Sequence, residues 1–350
     1  MANTGIVKDR RYLNHKTGMF HPESPKRLEA IYEMLETPEM SEILTIIEPR
    51  PATHDEIALI HDFDYIETVA RTAGKESTYL DPDTETSPES YETALLAVGG
   101  VLNAVDAVME KRIDNAFCFI RPPGHHAEHD RAAGFCLFNN VAIAARYALN
   151  KFGIQRVLIV DWDLHHGNGT QNSFYEDSSV LYFSTHQYPF YPGSGGINEI
   201  GRGNGLGYTI NVPLRSGPGD GEYVKIYRRL LMPVAQIFRP DLVLVSAGFD
   251  IYNKDPLGGM NVTPDGFARL MRMLLDIGDE CCDGKVVVLL EGGYDLIGLK
   301  KSVKKVLEEM KGITHRNEDE LSRIEADADV ATDSVIKTVR DQIDPLWQAF

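Results

Sequence analysis

The chain has 350 residues, of which 43% are hydrophobic and 25% are charged, a composition that excludes a disordered, collagen-like or low-complexity protein. Its 52 acidic residues outnumber its 35 basic ones, which gives a net charge of -17. Such a charge argues against direct binding of nucleic acid and favours cationic ligands such as basic peptides or polyamines.

The sequence also indicates a compartment. The start of the chain has no apolar run of the length found in signal peptides, and no stretch approaches the ~18 uninterrupted apolar residues of a membrane span. The 4 cysteines show no CxxC spacing, which is typical of thiols in a reducing compartment. We therefore expect a cytoplasmic protein that does not insert into a membrane.

Short runs of apolar, often β-branched residues recur along the chain. Because they are continuously apolar rather than alternating, they predict strands that are buried on both faces of a parallel sheet. These runs are Ala116–Ile120, Val157–Asp161, Val180–Ser184, Tyr208–Val212, Leu242–Ser246 and Val286–Leu290. Segments with helical spacing of apolar residues lie among them, at Tyr91–Met109, Val141–Leu149, Tyr223–Ile237 and Phe267–Leu275. This order predicts an α/β fold with a central, mainly parallel sheet and helices on both faces.

Polar, ionisable and glycine residues are concentrated directly after four of these runs, in PPGHHAE, DWDLHH, SAGFD and EGGY. Ligands bind at the carboxyl ends of strands in open α/β sheets. Because the four loops extend over residues 121–294, we expect one site and a single catalytic domain over residues 1–350. Within it, residues 311–350 are predicted to be a C-terminal packing segment with a helix from about Asp333.

The segment DWDLHH begins where the second predicted strand ends. Residues two apart on an extended chain point to the same side, so Asp161, Asp163 and His165 share one side. Two carboxylates there repel each other unless a cation or an imidazole lies between them. Asp250, at the end of SAGFD, offers a third hard ligand. Asp163, His165 and Asp250 therefore predict a site for zinc or another divalent transition ion, with a position open for water as in catalytic sites.

The loop RPPGHH carries two adjacent histidines on a turn that two prolines and Gly124 make rigid. One of them can be the general base for an attacking water, and both can stabilise developing charge. Asp161 and Asn168 are the polar candidates for fixing their tautomers. If His125 pairs with Asp161, it should be more positive. If His126 pairs with neutral Asn168, its pKa should stay nearer neutral, which suits a base.

In EGGY, two glycines allow the loop to approach the metal closely, and Tyr294 can donate a hydrogen bond to an oxyanion. Two other patterns do not predict a site. The run His125–His129 has the order H-x-x-E-H of inverted zinc proteases, but it follows a Pro-Pro-Gly turn instead of lying on a helix. The run Gly201–Gly207 lacks the order G-x-G-x-x-G and leads into a strand, so no dinucleotide site is expected.

With these motifs in place, the sequence resembles the histone deacetylase family of the arginase–deacetylase superfamily. RPPGHHAE, GFCLFNN, VDWDLHHGNGTQ, SAGFD with DPLGG, and EGGY occur in that family's order, and HPESPKR resembles its first loop. The resemblance covers roughly residues 10–310 with a specific set of motifs. It implies one α/β domain and the zinc-dependent hydrolysis of an N-acyl amide, with one zinc ion per chain.

The resemblance also implies roles for single residues. His126 matches the family's general base and acid, His125 its second and largely electrostatic histidine, and Tyr294 the tyrosine that polarises the carbonyl. The family's zinc ligands correspond to Asp163, His165 and Asp250.

Further positions match the family's acyl-lysine tunnel. Phe135, beside Gly134, and Tyr191 correspond to tunnel walls, where aromatic faces suit a methylene stem. The family often has Phe at the second position, so Tyr191 adds a polar group there. Arg27 corresponds to an arginine of an internal channel. Potassium is usual in the family as well, near Asp161, Asp163, His165 and Ser184 and again near Phe174, Asp177, Val180 and Tyr208.

Asn168, Trp162 and Glu291 resemble the class II branch, since class I members usually have aspartate at the first position and glycine at the last. Arginase-like chemistry with two metal ions needs further aspartates, which the neighbours of Asp250 do not supply. A non-catalytic acyl-lysine binding module would be expected to have lost a ligand or the tyrosine, and neither is lost. An enzyme is therefore the better interpretation.

The substrate is predicted from one loop position. Leu257, in DPLGG, stands where relatives that prefer acetylpolyamines often have a glutamate that binds a distal ammonium. We therefore expect a deacylase of lysine in proteins or peptides. The net charge of -17 still favours a cationic polyamine, so an acetylpolyamine or small acyl-amide hydrolase is the alternative. A homo-oligomer is compatible with the sequence.

Overall fold

The computed structural model describes residues 1–314 and 317–350 of the chain. The strands in these ranges are β1 (Thr4–Val7), β2 (Thr45–Ile47), β3 (Thr78–Asp81), β4 (Thr84–Thr86), β5 (Asn115–Cys118), β6 (Val157–Asp161), β7 (Val180–Gln187), β8 (Thr209–Leu214), β9 (Leu242–Ala247) and β10 (Val286–Leu290). Eight of them form a parallel sheet in the order β2-β1-β5-β10-β9-β6-β7-β8. Strands β3 and β4 form a separate antiparallel hairpin.

Helices flank the sheet in two groups. One group includes α5 and α6, which pack against each other and against central strands, and the other includes α8, α10 and α11. The helices are α1 (Lys26–Leu35), α2 (Pro38–Ser41), α3 (His54–Ile57), α4 (Phe63–Ala70), α5 (Ser90–Met109), α6 (Asn140–Phe152), α7 (Asn168–Ser173), α8 (Asp220–Ile226), α9 (Met232–Phe238), α10 (Pro264–Cys281), α11 (Leu296–Met310), α12 (Glu318–Ala326) and α13 (Ala331–Trp347). The predicted α/β class is confirmed.

Element boundaries differ from the predicted ones in informative places. Strand β7 extends three residues beyond the predicted Ser184, to Gln187. The single helix predicted at Tyr223–Ile237 is α8 and α9 joined by the π-helical turn Tyr227–Leu231. Strands β1 and β2 were not predicted, because runs of four and three residues are too short to stand out in the sequence.

The sheet order brings the four polar loops together. Strands β5, β10, β9 and β6 are consecutive neighbours in the middle of the sheet, although the chain reaches them in a different order. Asp161 of β6 is level with Ser246 of β9, and Leu290 of β10 is level with Ala247 of β9. The loops that follow these strands therefore leave the sheet side by side, at its carboxyl edge.

Two segments bear on the expected environment and domain organisation. Helix α5 is long and apolar enough to cross a membrane, but most of it is buried inside this fold, as in the core helix of a soluble protein.

The helix expected from about Asp333 runs from Ala331 to Trp347 and packs against β8 and α8. Nε1 of Trp347 donates to the carbonyl of Gly207 at 2.8 Å. The assignment of residues 311–350 as a packing segment stays a prediction, and it includes His315 and Arg316, which lie outside the described residues.

Candidate active site

Asp163, His165 and Asp250 meet where the adjacent strands β6 and β9 end. One ligand atom from each residue lies within 4.8 Å of the others. Nδ1 of His165 is 3.1 Å from Oδ1 of Asp163 and 3.2 Å from Oδ2 of Asp250. Both carboxylates are buried. The structure thus brings together three residues that are separated by as many as 87 positions in the chain.

These residues fit a zinc ion. Oδ2 of Asp250 is buried and accepts no well-aligned hydrogen bond within the described part of the chain, although Nδ1 of His165 lies 3.2 Å from it. A buried carboxylate oxygen without a hydrogen bond is costly, and a bound cation would compensate it. The remaining oxygens are fixed by the backbone, because Leu164 N–H donates to Oδ1 of Asp250 at 2.9 Å and His165 N–H to Oδ1 of Asp163 at 2.8 Å. Two carboxylates and an imidazole are donors that zinc takes.

The loop after β10 approaches these ligands closely. The backbone N–H of Gly292 donates to Oδ2 of Asp163 at 2.8 Å. A Cβ atom at Gly292 would lie 2.3 Å from Oδ2 of Asp250, which is closer than any real contact. Glycine is therefore required here by the space that the ligand carboxylates occupy.

His125 is paired with a carboxylate. Its Nδ1 lies 3.0 Å from Oδ2 of Asp161, and the hydroxyl of Tyr182 donates to the same oxygen at 3.0 Å. Burial alone would lower the pKa of His125, but the charges of Asp161, Asp163 and Glu291 raise this pKa to about 10. His125 is consequently a cation at neutral pH, in agreement with the more positive state expected from such a pair.

His126 is paired with an amide. Its Nδ1 lies 2.8 Å from Oδ1 of Asn168. Burial and the positive charge of His125, whose ring centroid is 4.0 Å away, lower the pKa of His126 well below its ordinary value. The expectation of a pKa near neutrality is therefore wrong, because it considered the partner and not the burial. At neutral pH, His126 is uncharged and able to accept a proton.

Glu291 holds the histidine loop in place. Its Oε2 accepts the backbone N–H of Gly124 at 2.7 Å and that of His125 at 3.3 Å, and Ser246 donates to its Oε1 at 3.1 Å. Burial raises the pKa of Glu291 to about 7. In the sequence this residue served only to indicate a branch of the family. Its position directly after a buried strand was the signal for a structural role in the site.

Tyr294 and Leu257 are fixed by a common carboxylate. Oδ2 of Asp255 accepts the N–H of Tyr294 at 2.6 Å, and Oδ1 accepts that of Leu257 at 3.0 Å. Arg27 lies behind the tyrosine, with its guanidinium 5.1 Å from the ring centroid and its Nε donating to the carbonyl of Gly293 at 2.7 Å. Burial raises the pKa of Tyr294 well above its ordinary value, so its hydroxyl stays a donor.

A cavity of about 250 Å³ reaches His165 of the candidate metal triad. The residues expected in a tunnel, Gly134, Phe135, Tyr191 and Leu257, all line it together with His125, His126, His165 and Tyr294. Gly134 has a φ of +54°, and a Cβ there would lie 2.3 Å from Cδ2 of His126. The wall can therefore come this close to His126 only with glycine at position 134.

Asp83 and Phe190 are among the lining residues that were not predicted. The ring of Phe190 stacks on His165 with centroids 5.6 Å apart, so it adds an aromatic wall to those expected from Phe135 and Tyr191. Asp83, in the turn between β3 and β4, places a carboxylate at the mouth. Burial and the neighbouring Asp81 raise the pKa of Asp83 to about 6. The segments that carry these two residues have no strong sequence pattern. The short runs Pro189-Phe190 and Asp81–Asp83 were the only signals there.

Of the positions expected near potassium, His165 lines this cavity and the others are not among its lining residues. Ser184 is level with Asp161 on the neighbouring strand and its hydroxyl lies 2.9 Å from Nδ1 of His186. Asp177 is ion-paired with Arg146 at 2.6 Å. Phe174 caps the end of α7, Val180 begins β7, and Tyr208 directly precedes β8. Potassium at either place stays a prediction.

Comparisons with known proteins point to one family. A model of the histone deacetylase domain matches residues 21–310. The chain is 40% identical over 297 residues to a probable deacetylase of Archaeoglobus fulgidus. This alignment covers 84% of this chain and 82% of that protein. The chain is 39% identical over 340 residues to the polyamine deacetylase HDAC10 of Danio rerio. That alignment covers 94% of this chain and 49% of the relative.

The same holds for plant relatives. Identity to histone deacetylase 15 of Arabidopsis thaliana is 39% over 326 residues, covering 91% of this chain and 58% of that protein. The crystal structure of the HDA15 HD domain superposes with a TM-score of 0.92 at 37% identity and covers 99% of this chain and 96% of that one. The chain thus spans about half the length of several relatives and nearly all of this solved domain.

Proposed function

The chain belongs to the histone deacetylase family, and on this basis we propose that it is a zinc-dependent amidohydrolase that removes acetyl or other acyl groups from the ε-amino group of lysine in proteins or peptides. The observation that carries the proposal is the arrangement at the base of one cavity. His165 of the candidate metal triad, the uncharged His126 and the protonated Tyr294 line one cavity, and the carboxylates of Asp163 and Asp250 lie against His165.

The cavity suits the shape of an acylated lysine. Phe135 and Tyr191 offer aromatic faces to the four methylenes of the stem, and Leu257 adds an aliphatic contact. Tyr191 contacts His126 edge to face, with centroids 5.1 Å apart, so the wall continues down to the reacting groups. A neutral acyl amide can therefore enter without leaving a charge in the apolar part of the cavity.

Zinc held by Asp163, His165 and Asp250 would supply Lewis acidity toward the acyl carbonyl and toward water. The ring of His126 lines the cavity and its Nδ1 is bound to Asn168, which leaves Nε2 as the nitrogen free to react. Nε2 can thus take a proton from the attacking water and return it to the leaving amine.

Two further side chains stabilise charge. The Tyr294 hydroxyl donates a hydrogen bond to the carbonyl oxygen as negative charge grows there. His125 remains a cation because the carboxylate of Asp161 accepts a hydrogen bond from its Nδ1. The positive charge of His125 contributes electrostatically to the same region. The two adjacent histidines therefore divide proton transfer and charge stabilisation between them.

An acetylpolyamine hydrolase is the second candidate, and the mouth of the cavity favours it. Asp83 can attract a distal ammonium, and the chain as a whole carries a charge of -17. The chain is also similar to a polyamine deacetylase of Danio rerio. Leu257, which carries no charge, argues for the lysine substrate instead.

A paired assay tests both candidates. The zinc-loaded protein is given acetyl-lysine peptides and acetylated spermidine at equal concentrations, before and after a chelator and again after zinc is restored. We expect higher kcat/KM on the peptides, loss of turnover with the chelator and recovery with zinc. Faster hydrolysis of acetylspermidine would select the second candidate, and turnover that survives chelation would refute the zinc-dependent mechanism.

A further inference from the structure

Glu128 lies directly behind the partner of His126. Nδ2 of Asn168 donates to Oε1 of Glu128 at 2.6 Å, and Nδ2 of Asn172 donates to the two carboxylate oxygens at 2.9 and 3.1 Å. Glu128 is only 3% exposed. In the sequence it belonged to the discarded H-x-x-E-H pattern, so neither that pattern nor the proposed reaction explains why an acidic residue is buried here.

The carboxylate decides which way the amide of Asn168 points. A carboxylate oxygen accepts hydrogen bonds, and of the two amide atoms only the nitrogen donates them. A flipped amide would place its oxygen 2.6 Å from Oε1 of Glu128, with two acceptors in contact. The carbonyl of His126, 3.4 Å from Nδ2 of Asn168, favours the same orientation. Oδ1 of Asn168 must therefore face His126.

This orientation in turn decides the tautomer of His126. Oδ1 of Asn168 can only accept, so Nδ1 of His126 must carry the hydrogen of their 2.8 Å bond. Nε2 is then left with its lone pair toward the cavity. We propose that Glu128 is a positioning residue that acts through Asn168 to hold His126 in the tautomer in which Nε2 is the base.

The arrangement differs from that of the neighbouring histidine. His125 contacts the carboxylate of Asp161 directly at 3.0 Å and is held as a cation. For His126, a neutral amide separates the ring from the carboxylate of Glu128. The carboxylate can thus orient the ring without forming an ion pair with it, so His126 stays uncharged with a free lone pair on Nε2. This inference rests on the proposed role of His126 as the base.

The kinetic test compares three variants of the zinc-loaded protein. Glu128→Ala removes the acceptor, and we expect kcat to fall ~10–100-fold, as for other residues that orient a reacting group, with KM changed less than twofold. Glu128→Gln keeps an acceptor oxygen and should restore kcat to within about threefold of the wild type. Arg131→Ala is the matched control, because Arg131 is exposed and approaches Glu128 only to 3.5 Å. Equal losses in the alanine variants of Glu128 and Arg131 would overturn the proposal.

A double substitution tests the coupling. Asn168→Asp places a second carboxylate against Glu128, and we expect it to lower kcat at least tenfold. In the double variant with Glu128→Gln, the amide of the new glutamine can donate to the carboxylate of the new aspartate. The double variant should therefore have a kcat at least fivefold higher than that of Asn168→Asp alone. Multiplicative effects of the two substitutions would show that the residues do not act together.

A spectroscopic measurement separates this inference from the proposed function. Long-range ¹H–¹⁵N spectra of the zinc-loaded protein with labelled histidine, assigned with His126→Ala, report which ring nitrogen carries the hydrogen. We expect protonated Nδ1 in the wild type and in Glu128→Gln, and a mixture of tautomers in Glu128→Ala. An unchanged tautomer in Glu128→Ala overturns the inference, whether or not the protein hydrolyses either substrate.

Discussion

The floor and the mouth of the cavity are built from different kinds of structure. The floor consists of residues at or just beyond the ends of four adjacent buried strands, and its carboxylates and imidazoles are each held by further contacts. The mouth consists of the β3–β4 turn, the loop after β7, where Phe190 and Tyr191 are 39% and 38% exposed, and Leu257 in the loop after β9. Substitutions in the floor should therefore change the rate of reaction, whereas substitutions in the mouth should change which substrate is preferred.

The largest effect is expected from the deepest residue. Asp250→Ala removes one of the three metal ligands, so we expect loss of bound zinc and of all measurable turnover with an unchanged circular dichroism spectrum. Elemental analysis gives the metal content per chain, and Asp333→Ala, at an exposed carboxylate, is the control that should keep it. A fully metal-loaded and active Asp250→Ala protein would refute the ligand assignment.

The two histidines should differ in their contribution to the rate. His126→Ala removes the base, and general acid–base catalysis is typically worth ~10²–10⁴-fold. His125→Ala removes only a neighbouring positive charge and should cost less. Steady-state kinetics of both variants on one acetyl-lysine peptide gives the comparison. Losses that are equal and below about tenfold would contradict the division of roles.

Tyr294→Phe removes a single hydroxyl and keeps the packing of the ring. Loss of one donor to an oxyanion typically costs ~10²–10³ in turnover. KM should change much less, since this bond strengthens mainly in the transition state. Near-normal kcat in this variant would show that another group binds the oxyanion.

At the mouth, Leu257→Glu replaces an uncharged side chain with a negatively charged one. A carboxylate beside the cavity should bind the distal ammonium of an acetylated polyamine, so we expect the ratio of kcat/KM for acetylspermidine over an acetyl-lysine peptide to rise about tenfold. Leu257→Gln is the control, because glutamine has the size of glutamate but no charge. If both variants shift the ratio equally, size rather than charge is responsible.

The smallest effect is expected at Asp83, and it depends on pH. Burial and Asp81 raise the pKa of Asp83 to about 6, so this carboxylate is charged above that pH and neutral below it. For a cationic substrate, the wild type should have a kcat/KM about two- to fivefold higher than that of Asp83→Asn above pH 6, the effect of an exposed ion pair. The two proteins should converge as the pH falls below 6. A constant ratio across this range would show that Asp83 does not contact the substrate.

The same division explains what the sequence could predict. Asp163, His165 and Asp250 each follow a continuous apolar run, and such runs predict buried strands whose ends share one edge. Asp83 and Phe190 lie in turns without periodicity, so their place at the cavity depends on how those turns pack. The lowered pKa of His126 was missed for a related reason, because burial results from the whole fold and not from the neighbouring residue. The tightly packed Glu128 escaped notice since its function depends on two amides that only the fold brings to it.

Strand β10 is the last strand of the sheet to leave the ribosome, yet it lies between β5 and β9. Until residues 286–290 are synthesised, those two strands cannot be joined through the middle of the sheet, and such long-range pairings form slowly. Asp163, His165 and Asp250 come earlier in the chain, but Gly292 and Tyr294 arrive only with β10. During biosynthesis, synthesis of this strand and the loop after it therefore completes both the sheet and the candidate active site, and a chain that stalls before this strand lacks Tyr294.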